Sequence, residues 1–182
     1  MKAIAIIEDE HRAITAVIEG LRHVLAQAAK GHRPDPGLLA AMFRYIEAFP
    51  ERLHHPKEDD YLVARLRVRR PDASPLLDKL HREHDVGRDR FADLRALYRL
   101  YAADPSTLPA LTEAVEHYAH FHWKHMRREE DEVLPLARAV LTGEDWAAID
   151  AAFASNSDPI VGVPAQKEFR ELFRRLAALW PG

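Results

Sequence analysis

A chain of 182 residues and 20.8 kDa is long enough for one domain with a sizeable core. Hydrophobic residues at 47% and charged residues at 30% exclude a disordered chain, and a net charge of −3 leaves no basic surplus for nucleic acid. The absence of cysteine excludes disulfides, iron–sulfur clusters and thiolate zinc sites.

The N-terminus, MKAIAIIEDEHR, reaches acidic residues too soon for a signal peptide, and no run approaches membrane-spanning length. The expectation is a cytoplasmic protein with no membrane partner. The first helix is expected over residues 3–29, where Ile4, Ile7, His11, Ile14, Ile18, Leu21 and Leu25 recur at spacings of three and four. His11 is the one polar member of that stripe. GHRPDPG (31–37) breaks the helix. A second helix is expected from about Leu38 to Val68, with a kink or restart at Pro50 and Pro56. RLRVRR (65–70) reads as its solvated end, where cations suit the dipole.

RRPDASP (69–75) makes the next turn. A third helix then runs from about Ser74 to Ala102 on the stripe Leu77, Leu80, His84, Gly87, Phe91, Leu94, Tyr98, with His81 one position off that line. A fourth is expected as one continuous helix, Ser106 to Leu141. Its stripe reads Leu111, Val115, Tyr118, His122, His125, Glu129, and continues to Glu132, Leu136 and Val140. TGED (142–145) caps a short helix, Trp146 to Phe153, and SNSDP (155–159) reads as loop. A last amphipathic helix over about 165–178 turns Phe169, Leu172, Phe173 and Leu176 inward. No segment alternates like a strand. The fold expected is all-α: an up-down-up-down antiparallel four-helix bundle over residues 1–142, with residues 143–182 as a helical extension packed on it.

The chemistry concentrates at HYAHFHWKHMRREED (117–131), where an apolar stripe turns polar in mid-helix. The second helix does the same at HHPKED, where Glu58 follows His54 by four residues and His55 by three. Buried imidazoles and carboxylates are expensive unless paired, and a divalent metal suits both ligand types. Counting residues from each polar intrusion to the nearest turn, at ~1.5 Å rise per residue, brings His11, His54, His84 and His125 to one level within roughly 6 Å. An internal echo supports a shared site: EH at 10–11 precedes HHPKED, and EH at 83–84 precedes HMRREED, by similar intervals. The minimal set is His11, His54, Glu58, His84, His125 and Glu129, with His55, His81 and His122 as extra candidates. That is too many ligands for one tetrahedral zinc and too nitrogen-rich for calcium or magnesium. It fits a dinuclear transition-metal centre, iron before others.

The four-helix plan, the single histidine of DEHRAI, and the segments HHPKEDDYL, LHREH and HMRREEDEVLPLA resemble the hemerythrin-like domain, also called the HHE cation-binding domain. The resemblance spans about residues 1–142. It implies a non-haem di-iron centre bridged by carboxylates, with an open position for dioxygen or another small oxidant. Carried onto this sequence, it implies two iron ions held by His11, His54, Glu58, His84, His125 and Glu129, with Glu58 and Glu129 as bridges and His55 as a further ligand. The family's oxygen carriers pair two histidines of the third helix at i and i+4, whereas His81 and His84 are three apart. The carriers also place an aspartate five residues after the last histidine, where this chain has Glu129 at four and Glu130 at five.

These departures leave three readings open. The first is a small di-iron protein binding dioxygen, peroxide or nitric oxide. The second is an enzyme on the same scaffold, reducing peroxide or nitric oxide or delivering iron for repair. The third is a metal-dependent sensor or interaction module. Phe169, Phe173 and Trp180 of the final helix either cover the bundle or form a homodimer contact. His23, His32, His117 and His120 read as surface or boundary residues, and Glu130 and Asp131 as solvated partners of Arg127 and Arg128.

Overall fold

The computed structural model describes residues 1–154 and 167–179, and side chains in the last stretch from residue 171 onward. Every regular element among the described residues is helical. Helix α1 spans Lys2–Ala29 and α2 spans Pro36–Ala48. Gly31, at φ 90°, takes the left-handed conformation that ends α1 cheaply only without a Cβ. Asp35 starts α2, accepting the Gly37 N–H at 2.7 Å, with Pro36 in the first turn.

The expected break at the prolines is present, but it takes the form of wide turns rather than a kink. A π-helical turn, Pro50–His54, leads into the short α3, His55–Lys57. A second π-helical turn, Glu58–Val63, leads into α4, Ala64–Arg69. Helix α5, Ser74–Ala103, is unbroken. The fourth expected helix runs without a gap from Leu108 to Val140, but not with one uniform pitch. It divides into α6, Leu108–Arg128, a π-helical turn at Glu129–Val133, and α7, Leu134–Val140. Pro135 cannot donate to the carbonyl one turn back, which loosens the ladder there. The extra residue in the wide turn rotates everything after it. The buried line therefore passes through Val133, Leu134 and Ala137, while Glu132 is exposed and Leu136 and Val140 are only partly covered. A uniform 3.6-residue period could not anticipate that slip.

Helix α8, Gly143–Ala154, is capped reciprocally: Thr142 N–H donates to Asp145 at 3.0 Å, and Asp145 N–H donates to the Thr142 hydroxyl at 3.3 Å. It packs on α1, and α9, Lys167–Leu179, packs on α2 and α1. In α9, Leu172 and Leu176 are buried as expected, but Phe173 is 51% exposed, a correction to the inward stripe. One turn can bury only one face, and Leu172 and Leu176, four apart, already fill it. Phe169, Trp180 and the expected loop 155–159 lie outside the described side chains and residues.

Two apolar clusters sandwich a polar layer. Ile4 and Ile7 belong to one cluster, and Ile14 through Leu25 to the other, with His11 between them. Residues 38–49 join the second of these, Leu62, Val63 and Leu66 the first, and His54, His55 and Glu58 fall between. Leu77 and Leu80 stand on one side of His84, with Phe91 and Leu94 on the other. Leu111 to Met126 and Val133 to Leu141 bracket Glu129 in the same way. The polar intrusions of four chain segments thus occupy one level, as the residue counts predicted.

Candidate metal centre

The three π-helical turns meet this polar level directly. His54 ends one, Glu58 opens the next and Glu129 opens the third. Widened turns of this kind re-aim side chains and recur at functional sites. His11, His54, His55, Glu58, His84, His122, His125 and Glu129 are all buried, none more than 5% exposed.

The two glutamates lie between two sets of imidazoles. Glu58 Oε1 is 3.4 Å from His54 Nε2 and 3.9 Å from His11 Nε2, while its Oε2 is 3.6 Å from His84 Nε2. Glu129 Oε2 is 3.2 Å from His11 Nε2, and its Oε1 is 3.3 Å from His125 Nε2 and 3.5 Å from His84 Nε2. Each carboxylate therefore spans both sets, His11 with His54 and His84 with His125. The His55 ring stacks on His84 at 4.7 Å between centroids, which adds it to the second set. Within the cage, three groupings have donor atoms close enough to share a cation: His11–His54–Glu58, Glu58–His84–His125–Glu129, and His55–His84–His125; a fourth, Asp59–His81–His84, lies at its edge. All seven residues expected to ligate are thus brought together.

The donor atoms fit a metal. His11 Nε2, His84 Nε2, His125 Nε2, Glu58 Oε2 and both oxygens of Glu129 are buried with no hydrogen-bond partner. Leaving such atoms unpaired costs roughly 1–3 kcal/mol apiece. They point into one space, and a cation would satisfy several at once.

The family comparison agrees with the geometry. The family model described as Hemerythrin HHE cation binding domain matches residues 2–137. The chain belongs to this family. The hemerythrin-like assignment carries cation binding with it, and the buried His/Glu clusters could hold the metal. Searches of curated proteins and of solved structures find no match.

Around the hemerythrin-like cage stands a ring of acidic residues that sequence reasoning missed. His54 Nδ1 meets Glu10 at 2.8 Å, His11 Nδ1 meets Glu130 at 2.8 Å, and His125 Nδ1 meets Glu83 at 3.3 Å. His84 Nδ1 lies 3.0 Å from Asp59 Oδ2, though out of line for a hydrogen bond. A carboxylate behind an imidazole fixes the ring and keeps its other nitrogen turned inward. The pattern repeats in the two halves. The glutamate preceding each lone histidine, Glu10 or Glu83, serves the histidine of its own half. The acid following each inner glutamate, Asp59 or Glu130, serves the lone histidine of the other half. Both EH pairs and the ED and EE steps stand in the sequence, so the signal was there. Glu130 is exposed, as expected, but its partner is His11 rather than an arginine, while Arg127 does pair with Asp131, at 3.1 Å. Arg128 turns to Glu83 at 3.0 Å.

The two remaining candidates separate. His81 is not drawn into the cage: it is half exposed, and its Nδ1 lies 2.9 Å from Asp59. With His84 facing the cage, a residue three positions earlier is swung past its edge. His122 is buried beside the cage against Tyr118, at 4.2 Å between ring centroids, but joins none of the three groupings.

Burial and charge divide the imidazoles. Burial pushes His54 down to about 4. It also lowers His55, helped by charge on His84 and His125, and it lowers His122. These rings are neutral at pH 7 and ready to donate a lone pair. For His11, burial opposes the proton, but Glu129, Glu130 and Glu58 together hold its pKa well above the usual range. For His84, burial is outweighed by Asp59, Glu129 and Glu58, which hold it at about 10. Burial pushes the Glu129 carboxyl up, but His125, His11 and His84 overcome it and hold it well below the usual range. With no metal bound, these carboxylates favour a proton on His11 and on His84.

Proposed function

We propose that this chain is a non-haem di-iron protein that binds dioxygen or a related small oxidant, peroxide or nitric oxide. Residues 1–142 form an up-down-up-down antiparallel four-helix bundle around the centre, and the described helices after it, Gly143–Ala154 and Lys167–Leu179, form an extension packed against it. His11 and His54 would hold one ion and His84, His125 and His55 the other, with Glu58 and Glu129 available to both. Other divalent first-row metals suit the same donors, and iron is the one that brings redox chemistry with oxygen species. The observation that supports this reading most is the pair of inward glutamates, each with oxygens directed at both sets of imidazoles.

When bound, the di-iron pair would supply electrons and an open coordination position to an incoming oxidant. The chain's own contribution is separable. Three histidines on one side and two on the other make the His11–His54 side the less crowded one. The apolar clusters on either side of the polar layer keep bulk water from the site. Glu10, Glu83, Glu130 and Asp59 fix the imidazole rings. The experiment is optical: anaerobically reduced, iron-loaded protein exposed to air should develop near-ultraviolet charge-transfer absorption. No spectral change would contradict the reading.

One observation favours turnover over simple binding. Tyr118 O–H donates to Glu51 Oε1 at 3.2 Å, and Glu51 lines a cavity beside His55. This pair could hand a proton to an oxidant being reduced. Consumption of peroxide or nitric oxide by the iron-loaded protein, lowered in Tyr118→Phe, would support an enzyme; stable adducts without turnover would reject it. A cytoplasmic location and a homodimer belong to the same reading; among the described residues no helix is long and apolar enough to cross a membrane.

A further inference from the structure

The end of the bundle where α1 turns into α2 and α5 turns into α6 carries a cavity of about 460 Å³. Ala28 on its wall stands about 25 Å along α1 from His11, at ~1.5 Å rise per residue. Its floor is the end of the apolar core. Leu39 is buried in that core, and Tyr98, Tyr101 and Leu108 pack against it. Tyr98 lies flat on Phe43, with 4.3 Å between ring centroids, which fixes its ring. Pro34, Pro36 and Pro105 complete a wall of rigid, flat apolar surfaces.

The polar side chains of the lining are His32, Arg33, Tyr98 and Tyr101. Each can donate a hydrogen bond, and none is a carboxylate. Among the described residues, Arg33 has no ion-pair or hydrogen-bond partner, and neither do the two tyrosine hydroxyls. The carboxylates nearest in sequence are engaged elsewhere. Asp35 pairs with Arg175 at 2.6 Å, and Asp104 accepts the Ser106 N–H at 2.9 Å. The turn that carries His32 and Arg33 is itself fixed, with Gly31 N–H donating to Ala28 at 2.9 Å and His32 N–H to Gln27 at 3.1 Å.

We propose that this cavity binds a small aromatic carboxylate, its ring against the tyrosine and proline wall and its charge on Arg33. A cavity of this size, mostly apolar with a few placed donors, has the makeup of a small-molecule site. The one formal charge on the lining is an unpaired guanidinium, whose fork matches a carboxylate. A flat ring can stack offset on a tyrosine and leave the phenol free to donate. An inorganic anion would leave the apolar wall unused, and a neutral hydrocarbon would leave Arg33 unpaired. The distance from His11 keeps such a ligand off the cage, so the proposal stands apart from the di-iron reading.

Amide proton–nitrogen NMR spectra of the full chain, titrated with benzoate, test the site. Saturable shifts should centre on Gly31, His32, Arg33 and Tyr98 to Ala102, with half-saturation below about 1 mM. Benzyl alcohol, the same ring without the charge, should bind about tenfold more weakly. Benzoate should lose about the same factor on Arg33→Ala. Hexanoate, the charge without the ring, should also bind more weakly than benzoate. Ala102→Phe, which fills the cavity from its wall, should abolish the shifts. Both variants change exposed positions, and circular dichroism verifies that they fold. No saturable shift in wild type, shifts confined to the surroundings of the cage, or unchanged binding in Ala102→Phe would overturn the site. Equal binding of benzyl alcohol, or unchanged affinity in Arg33→Ala, would overturn the carboxylate assignment. Hexanoate binding as tightly as benzoate would overturn the aromatic one. Each of these results leaves the cage reading intact.

Discussion

Filling the cage at neutral pH should expel protons. The perturbation is addition of a divalent metal to the metal-free protein. Before it arrives, His84 is held at about 10 and His11 well above its ordinary value, because inward carboxylates outweigh the cost of burying charge. A ligating imidazole nitrogen cannot keep its proton. Deprotonating a group of pKa about 10 at pH 7 costs about 4 kcal/mol, at 1.36 kcal/mol per unit. The metal must supply that before any net affinity appears. Two consequences follow. Protons should leave as the cage fills, and the binding constant should rise about tenfold per pH unit between roughly pH 7 and 9 from His84 alone, with His11 acting in the same direction. The assay is isothermal titration calorimetry in buffers of matched pH and different ionisation enthalpies, repeated across that range. The sign for the empty protein is opposite. A raised histidine stabilises fully below its unfolded value of 6.5, and that contribution is lost as pH rises through about 10. The metal-free chain should therefore weaken over the pH range in which the metal binds best. Binding without proton release, and with no pH dependence, would refute the charge balance argued for the cage.

Glu51 gives a second pH signature. Burial, only partly offset by Tyr118, pushes its carboxyl up to about 7, so in the metal-free chain it should cost about 3 kcal/mol, accumulating as pH rises from 4.5 to 7. Glu51→Gln should remove that slope in chemical denaturation; an unchanged slope would place the cause elsewhere. Replacing the outer carboxylates, Glu10→Gln or Glu83→Gln, should weaken metal binding about 10- to 100-fold with the helical content intact. Competition against a chelator of known affinity reads this directly, and wild-type affinity would mean that these residues position nothing. In the last helix, Leu172→Ala should cost about 2–5 kcal/mol and Phe173→Ala no more than about 0.5. The reverse order in thermal melts would mean that α9 packs by another face.

The sequence carried the fold where its periods were regular. The stripes of α1 and α5 bury the residues the spacing predicted, except Tyr98 near the end of α5, which is only partly covered, and the single histidine on each sits where the count of residues to the next turn put it. The cage was legible for the same reason, since His11, His54, Glu58, His84, His125 and Glu129 share one level. What periodicity could not supply was the set of wide turns. A π-helical turn adds one residue without changing local composition. The slip from Glu132, Leu136 and Val140 to Val133 and Ala137 therefore left no mark except Pro135. The outer carboxylates were hidden for another reason: Glu10, Asp59, Glu83 and Glu130 look like ordinary solvated charges until tertiary packing brings each behind a ring from a different segment. His81 shows the converse, a residue whose spacing put it near the site but whose angle on α5 turns it to the cavity beside His55.

The claim on which the account rests is that two cations share one cage. Its most direct measurement is the Mössbauer spectrum, at liquid-helium temperature, of protein loaded with isotopically enriched iron and oxidised in air. The account predicts two irons per chain as spin-coupled quadrupole doublets with no magnetic splitting in a weak field. A single iron per chain, or the magnetically split spectrum of isolated ferric ions, would contradict it.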